Sequence, residues 1–135
     1  MNQRPVIIEV AVNGGTKKDK NPNSPQTPEE IAADALNCIA AGASIVHQHD
    51  ASGDAKECAA LGLRTYQTIL AERPDAICYP TIAFAGKTIE QAWAHNRILA
   101  EAGVLRMAFL DPGSLNLSGL DETGAPDKRE FVYAN

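Results

Sequence analysis

The sequence predicts an α/β fold built on a parallel sheet, with elements in the order βαβαβαβ. Three observations carry that reading. Short apolar, β-branched runs alternate with longer amphipathic stretches, a rhythm that implies a parallel sheet with right-handed crossovers. Two of the amphipathic stretches open on capping-box patterns, Thr27 with Glu30 and Thr88 with Gln91. Each apolar run closes on polar or glycine-containing residues.

The elements follow in order. "PVIIEVAV" (5–12) reads as a strand that ends at the turn signal "NGG" (13–15). "TKKDKNPNSPQ" (16–26) is polar and reads as a long, solvated loop. In "TPEE" (27–30), Thr27 caps, Pro28 takes the first helical position and Glu30 completes the box. Ile31, Ala35, Cys38 and Ile39 recur at helical spacing, and Gly42 stands where a left-handed C-cap belongs. "ASIVHQHD" (43–50) is too short for a helix, lies between Gly42 and "SGD" (52–54), and reads as a second strand. "CAALGLRTYQTILAER" (58–73) is a second helix stopped by Pro74, and "AICYPTIAF" (76–84) a third strand. "TIEQAWAHNRILAEAG" (88–103) is a third helix, and "VLRMAFL" (104–110) a fourth strand running into the loop "DPGSLNLSG" (111–119).

With 135 residues, 44% of them hydrophobic, the chain can bury a core and fits one domain. A formal net charge of −5 argues against nucleic-acid and anionic-membrane partners. Cys38, Cys58 and Cys78 lack C-x-x-C spacing and read as reduced, mostly buried thiols. "MNQRPVIIEV" has no secretory signature, and no run approaches the roughly 20 apolar residues of a membrane span. The expectation is a soluble cytoplasmic chain.

In parallel α/β folds, sites assemble at the carboxyl ends of the strands. Those ends carry Asn13, His47 and His49, Thr81, Asp111 and Asn116. His47 and His49 are the sharpest signal. Residues i and i+2 of a strand share a face, so both imidazoles can reach one ion, whereas a helix would set them about 200° apart. Two imidazoles suit zinc. Glu9 and Asp50 are each read as facing the wrong way to be a third ligand. His95, mid-helix, reads as an ordinary helix-surface residue. Thr81 alone reads as a strand threonine satisfying its backbone. "NGG" lacks the rest of a dinucleotide fingerprint, and "DPGS" reads equally as an anion cradle or a plain turn. Four strands with no fourth helix fit either a small open sheet or the first half of a barrel, which needs eight units.

Taken in order, "AVNG" (11–14), "TPEEIAADA" (27–35), "AGASIVHQHD" (41–50), "YPTIAF" (79–84) and "DPGSLNL" (111–117) resemble the β-keto acid cleavage enzymes. The resemblance runs through essentially the whole chain. It implies a zinc-binding TIM (β/α)8 barrel that forms homo-oligomers, of which residues 1–135 are the N-terminal half. It implies a retro-Claisen-type exchange in which a β-keto acid and acetyl-CoA give acetoacetate and a new acyl-CoA. It maps zinc ligation onto His47 and His49, and a substrate-contacting, catalytic hydroxyl onto Thr81. The family's glutamate ligand and its catalytic aspartate and arginine belong to later strands, and no residue here matches them. The isolated chain is therefore expected to be catalytically incomplete, with open sheet edges and a tendency to self-associate.

Two substrate positions depart from the family's amino-keto acid enzyme. Thr16 or Lys17 stands near the glutamate that recognises the substrate amine, and Phe109 replaces a substrate-contacting threonine. Both favour a less polar substrate. Two other readings compete. H-x-H also marks amidohydrolase barrels, although there it sits on the first strand. A non-catalytic fragment that pairs with a complementary half-chain is the other.

Overall fold

A computed structural model describes residues 4–83, 88–109, 114–117, 122–123 and 131–134. The first six elements are β1 (Glu9–Ala11), α1 (Pro28–Ala40), β2 (Ile45–Gln48), α2 (Ala55–Glu72), β3 (Ile77–Pro80) and α3 (Ile89–Glu101). The three strands form one parallel sheet in the order β1-β2-β3. The α/β class and the parallel, alternating order are as the sequence predicts.

Local chemistry sets the boundaries. At α1 the Thr27 hydroxyl accepts from Glu30 N, while the Glu30 carboxylate reaches back to the amides of Gln26 and Thr27. Gly42 ends this helix at φ 112°, a left-handed conformation that side-chain-bearing residues resist. Helix α2 begins earlier than its apolar spacing suggests. Asp54 caps it by accepting from Lys56 N and Glu57 N, so the end of "SGD" is a helix cap rather than a strand boundary alone. At α3 the Thr88 hydroxyl accepts from Gln91 N.

The helices cover one face of the sheet. Val46 and Cys78 are register partners on that face and pack with Ala35 and Ile39 of α1, Tyr66 and Ile69 of α2, and Leu99 of α3. Each large apolar side chain buried there contributes about 1.5–3 kcal/mol relative to exposure. Gly62 of α2 lets the helices approach closely, since a Cβ there would come within 3.3 Å of Leu99 Cδ1.

Three expectations are corrected. Residues 104–109 are not a fourth strand. Arg106 is close enough for its charge to act on Asp75 and Cys78, and Phe109 packs near Tyr79 of β3. Apolar content packs Val104 and Leu105, partly buried, against the core, but a strand also needs a ladder of hydrogen bonds, and residues 104–109 form none. The text beyond it is not simply loop. Within "DPGSLNLSG", β4 (Ser114–Leu117) pairs antiparallel with β5 (Phe131–Ala134), so the described strands number five in two sheets. The first strand is also shorter than predicted, because Val6, Ile7 and Ile8 are exposed outside β1.

The polar loop 16–26 is exposed over residues 16–23, as the sequence predicts, and it is also tied down. Lys18 pairs with Glu30, and the Thr16 carbonyl accepts from Ser24 Oγ at 2.8 Å and Gln26 Nε2 at 2.9 Å. Among the described residues, no helix is long and apolar enough to cross a membrane.

Candidate functional site at the carboxyl ends of the strands

Register decides which side chains meet. Ala11, His47 and Tyr79 are aligned across the three strands, with Glu9, Ile45 and Ile77 aligned two residues earlier. Strand alternation puts all six on the face opposite the helix-covered core. Glu9 therefore shares the His47 face, contrary to the sequence reading, and its carboxylate accepts from the Tyr79 hydroxyl.

His47 lies within β2, but His49 lies beyond its last laddered residue, Gln48. What extends the line is Asn13. Its Nδ2 donates to His49 O at 2.8 Å, and its Oδ1 accepts from His49 N at 2.9 Å. The same Nδ2 donates to Pro25 O at 3.1 Å, so one amide joins the strand tips to loop 16–26. Sequence reasoning placed Asn13 at a strand end and missed this role.

The two imidazoles come together as their spacing implies, with ring centroids 5.0 Å apart and planes at 77°. Burial lowers both pKa values. At His47 the Tyr79 backbone and the Glu9 charge oppose that shift, and at His49 the neighbouring His47 adds to it. Near neutral pH both rings are neutral, the state in which imidazole nitrogen binds a metal. His47 Nδ1 is buried with no hydrogen-bond partner. This donor set fits zinc as two nitrogen ligands. Among the described residues, no group of three His, Cys, Asp or Glu side chains is arranged to hold a metal ion.

Thr81 follows β3, and its amide donates to Gln48 O at 2.8 Å. Phe109 lies in an aromatic group, its ring centroid 5.6 Å from Trp93, 6.0 Å from Tyr79 and 6.3 Å from His47. An open cleft of about 490 Å³ lies beside these strand ends, lined in part by Asn13, Lys17, His49, Asp50, Ser52 and Thr81. Thr16, His47 and Phe109 are not among its lining residues; Lys17, not Thr16, faces it.

Asp50 belongs to both the cleft and the interior. Its Oδ1 accepts from Gln48 Nε2 at 3.1 Å, and its Oδ2 is buried without a partner. Burial pushes its pKa up to about 7, against the opposing pull of the Gln48 hydrogen bond. His95 corrects another expectation. It is 0% exposed, and its Nε2 donates to Thr81 O at 2.6 Å. A single helical histidine carries no sequence signal for this, because the partner is a main-chain carbonyl.

The fold and the site together define an α/β protein whose polar side chains, a histidine pair among them, gather at the carboxyl edge of a parallel sheet. The particular family follows from sequence comparison: residues 5–135 match the beta-keto acid cleavage enzyme family, and the chain belongs to it. It is similar to the 3-keto-5-aminohexanoate cleavage enzyme of Acetoanaerobium sticklandii, at 33% identity over 118 residues. That alignment covers 84% of this chain and 41% of the relative, so the chain spans about two-fifths of the length of the curated relative it matches.

Proposed function

We propose that residues 1–135 are the N-terminal half of a (β/α)8 barrel, and that the complete protein is a zinc-dependent C-acyltransferase. A β-keto acid and acetyl-CoA would be exchanged for acetoacetate and a new acyl-CoA. The observation that carries this reading is the family match over residues 5–135 together with the same-face pair His47 and His49 at a strand end. In it, His47 and His49 hold zinc, with the remaining ligand and the catalytic carboxylate supplied by later strands. The chemistry that zinc supplies when bound is Lewis acidity toward a keto oxygen.

The chain's own residues have separable tasks. Neutral imidazoles present nitrogen lone pairs, and Asn13 fixes the main chain that carries the second of them. Thr81 offers a hydroxyl at the cleft to hydrogen-bond a substrate oxygen, the residue assigned here to substrate contact and catalysis. Lys17, rather than Thr16, is the cleft-lining member of the early loop, and Phe109 borders the His47 ring. The proposal includes a cytoplasmic homo-oligomer acting on small molecules, with neither nucleic acid nor membrane as partner. The amidohydrolase reading is disfavoured, since a complete βα unit precedes the histidine-bearing strand.

The test is zinc content and acyl exchange in the complete enzyme. His47→Ala and His49→Ala should each remove bound zinc and turnover together. Zinc retained at wild-type stoichiometry in both variants would refute the ligand assignment. The coding sequence beyond Asn135 is a second test: continuation into a strand bearing a glutamate supports the barrel, and a stop codon supports the non-catalytic fragment.

A further inference from the structure

Thr81 is gripped through its main chain from two directions. Its amide donates to Gln48 O of β2 at 2.8 Å, and its carbonyl accepts from His95 Nε2 of α3 at 2.6 Å. Two residues on, Ala83 N donates to Ala92 O at 3.0 Å, so α3 holds the segment at a second point. The carbonyl can only accept, so Nε2 must carry a hydrogen. Nδ1 is buried without a hydrogen-bond partner, and burial lowers the pKa of His95 against the pull of the Thr81 and Ala92 backbone, so the neutral ring carries its hydrogen on Nε2, against the Thr81 carbonyl. Asn96 Nδ2 lies 3.3 Å from the same Nε2, and Asn96 Oδ1 is buried without a partner. Turning that amide end for end would put Oδ1 against the Nε2–H and remove the donor-to-donor contact there.

A fully buried histidine whose single N–H is directed at the peptide of a cleft residue is an orienting device, since burying its polar ring would otherwise be costly. We infer that His95 is a positioning residue for Thr81: its Nε2–H fixes the Thr81 peptide and thereby the direction in which the Thr81 hydroxyl is offered to the cleft. This rests on the proposed role of the Thr81 hydroxyl in substrate contact. It adds a residue on α3, outside the cleft lining, to the machinery that sets reaction geometry.

The test uses the complete enzyme with Thr81→Ala, His95→Leu, His95→Gln and His95→Asn. Glutamine can place an amide N–H close to the position of histidine Nε2, whereas asparagine is too short. His95→Leu and His95→Asn should lower kcat by about ten- to a hundredfold, as expected for a slightly misplaced reacting group. His95→Gln should recover most of that loss, with zinc content unchanged throughout. In ¹⁵N-labelled protein, the His95 ring should be the neutral Nε2–H tautomer. Thr81→Ala with wild-type turnover would overturn the reading of Thr81 itself. An impaired Thr81→Ala beside a fully active His95→Leu would overturn only the positioning role. If His95→Leu does not fold, the Gln and Asn variants decide, because equal kcat in the two overturns the inference. An Nδ1–H tautomer overturns it as well.

Discussion

Asn13 pairs with the main chain of His49 in both directions, donating from Nδ2 to His49 O and accepting at Oδ1 from His49 N. The side chain thus does what one more laddered residue would do. Val12 N already donates to His47 O at 3.2 Å, and the Asn13 amide continues that line where the regular pairing stops. Its third bond, to Pro25 O, makes loop 16–26 part of the same structure.

Asn13→Ala should therefore destabilise the chain by about 1–3 kcal/mol, because main-chain groups of His49 and Pro25 lose their partner. Asn13→Asp should do little better. It can still accept from His49 N but cannot donate to either carbonyl, and its charge would face two carbonyl oxygens. Urea denaturation of both variants and hydrogen exchange of the His49 amide measure this. Wild-type stability in Asn13→Ala, with the His49 amide equally protected, would show that the clamp contributes nothing.

Much of this architecture was legible because it is written in local chemistry. Thr27, Pro28 and Glu30 announce α1 by the hydrogen bonds they can make, and Gly42 ends it by the backbone angle it tolerates. His47 and His49 declare a shared face through strand alternation. Partners distant in sequence were not legible. Neither the 36-residue separation of Asn13 from His49 nor the 14-residue separation of His95 from Thr81 leaves a pattern, since each bond ends on a main-chain atom. Residues 104–109 differ: apolar content predicts burial, which Val104 and Leu105 reach in part, but not the register of a ladder.

The cap of α1 carries a pH dependence whose sign can be stated. Hydrogen bonds from Lys18 and from the Gln26 and Thr27 amides hold the Glu30 pKa at about 2, below the ordinary 4.5. A folded-state pKa below the unfolded value gives stability that is fully present above about pH 4.5 and lost as pH falls toward 2. Glu30→Gln should be less stable than wild type at pH 7, and the difference should shrink through that window. Urea midpoints at stepped pH test it, and a difference independent of pH would contradict it. Thr27→Ala, which removes the other half of the box, should cost about 1 kcal/mol.

The thiols should differ in reactivity. Burial pushes Cys58 up to about 12, with the charges of Asp50, Asp54 and Glu57 adding to it, and burial pushes Cys78 up to about 11. Cys38 is half-buried. Because the thiolate is the reactive form, a native-state alkylation at pH 8 should modify Cys38 at least about tenfold faster than the other two. All three should react together in denaturant. Mass spectrometry of timed digests reads the order, and prompt labelling of Cys58 in the folded protein would contradict its burial.

Substrate charge is the last expectation, and it rests on Lys17 and Phe109. Lys17 lines the cleft with His49 and Thr81, where its ammonium would repel a cationic substrate amine. Among the described lining residues the one carboxylate is Asp50, whose Oδ1 accepts from Gln48 Nε2 and whose Oδ2 is buried. Burial pushes its pKa up to about 7, so it is a poor counter-charge for a cation. Phe109, packed among Trp93, Tyr79 and His47, offers no charge. An unpaired charge taken out of water costs several kcal/mol, enough to dominate substrate selection. The complete enzyme should therefore prefer neutral or apolar β-keto acids to a 5-amino-3-keto acid, by about tenfold or more in kcat/KM. Lys17→Glu should narrow or reverse that preference while leaving zinc content unchanged. The measurement is kcat/KM across neutral, cationic and anionic β-keto acids with acetyl-CoA, for wild type and Lys17→Glu. A wild-type preference for the cationic substrate would refute the charge argument, and equal rates in both proteins would show that Lys17 does not face the bound side chain.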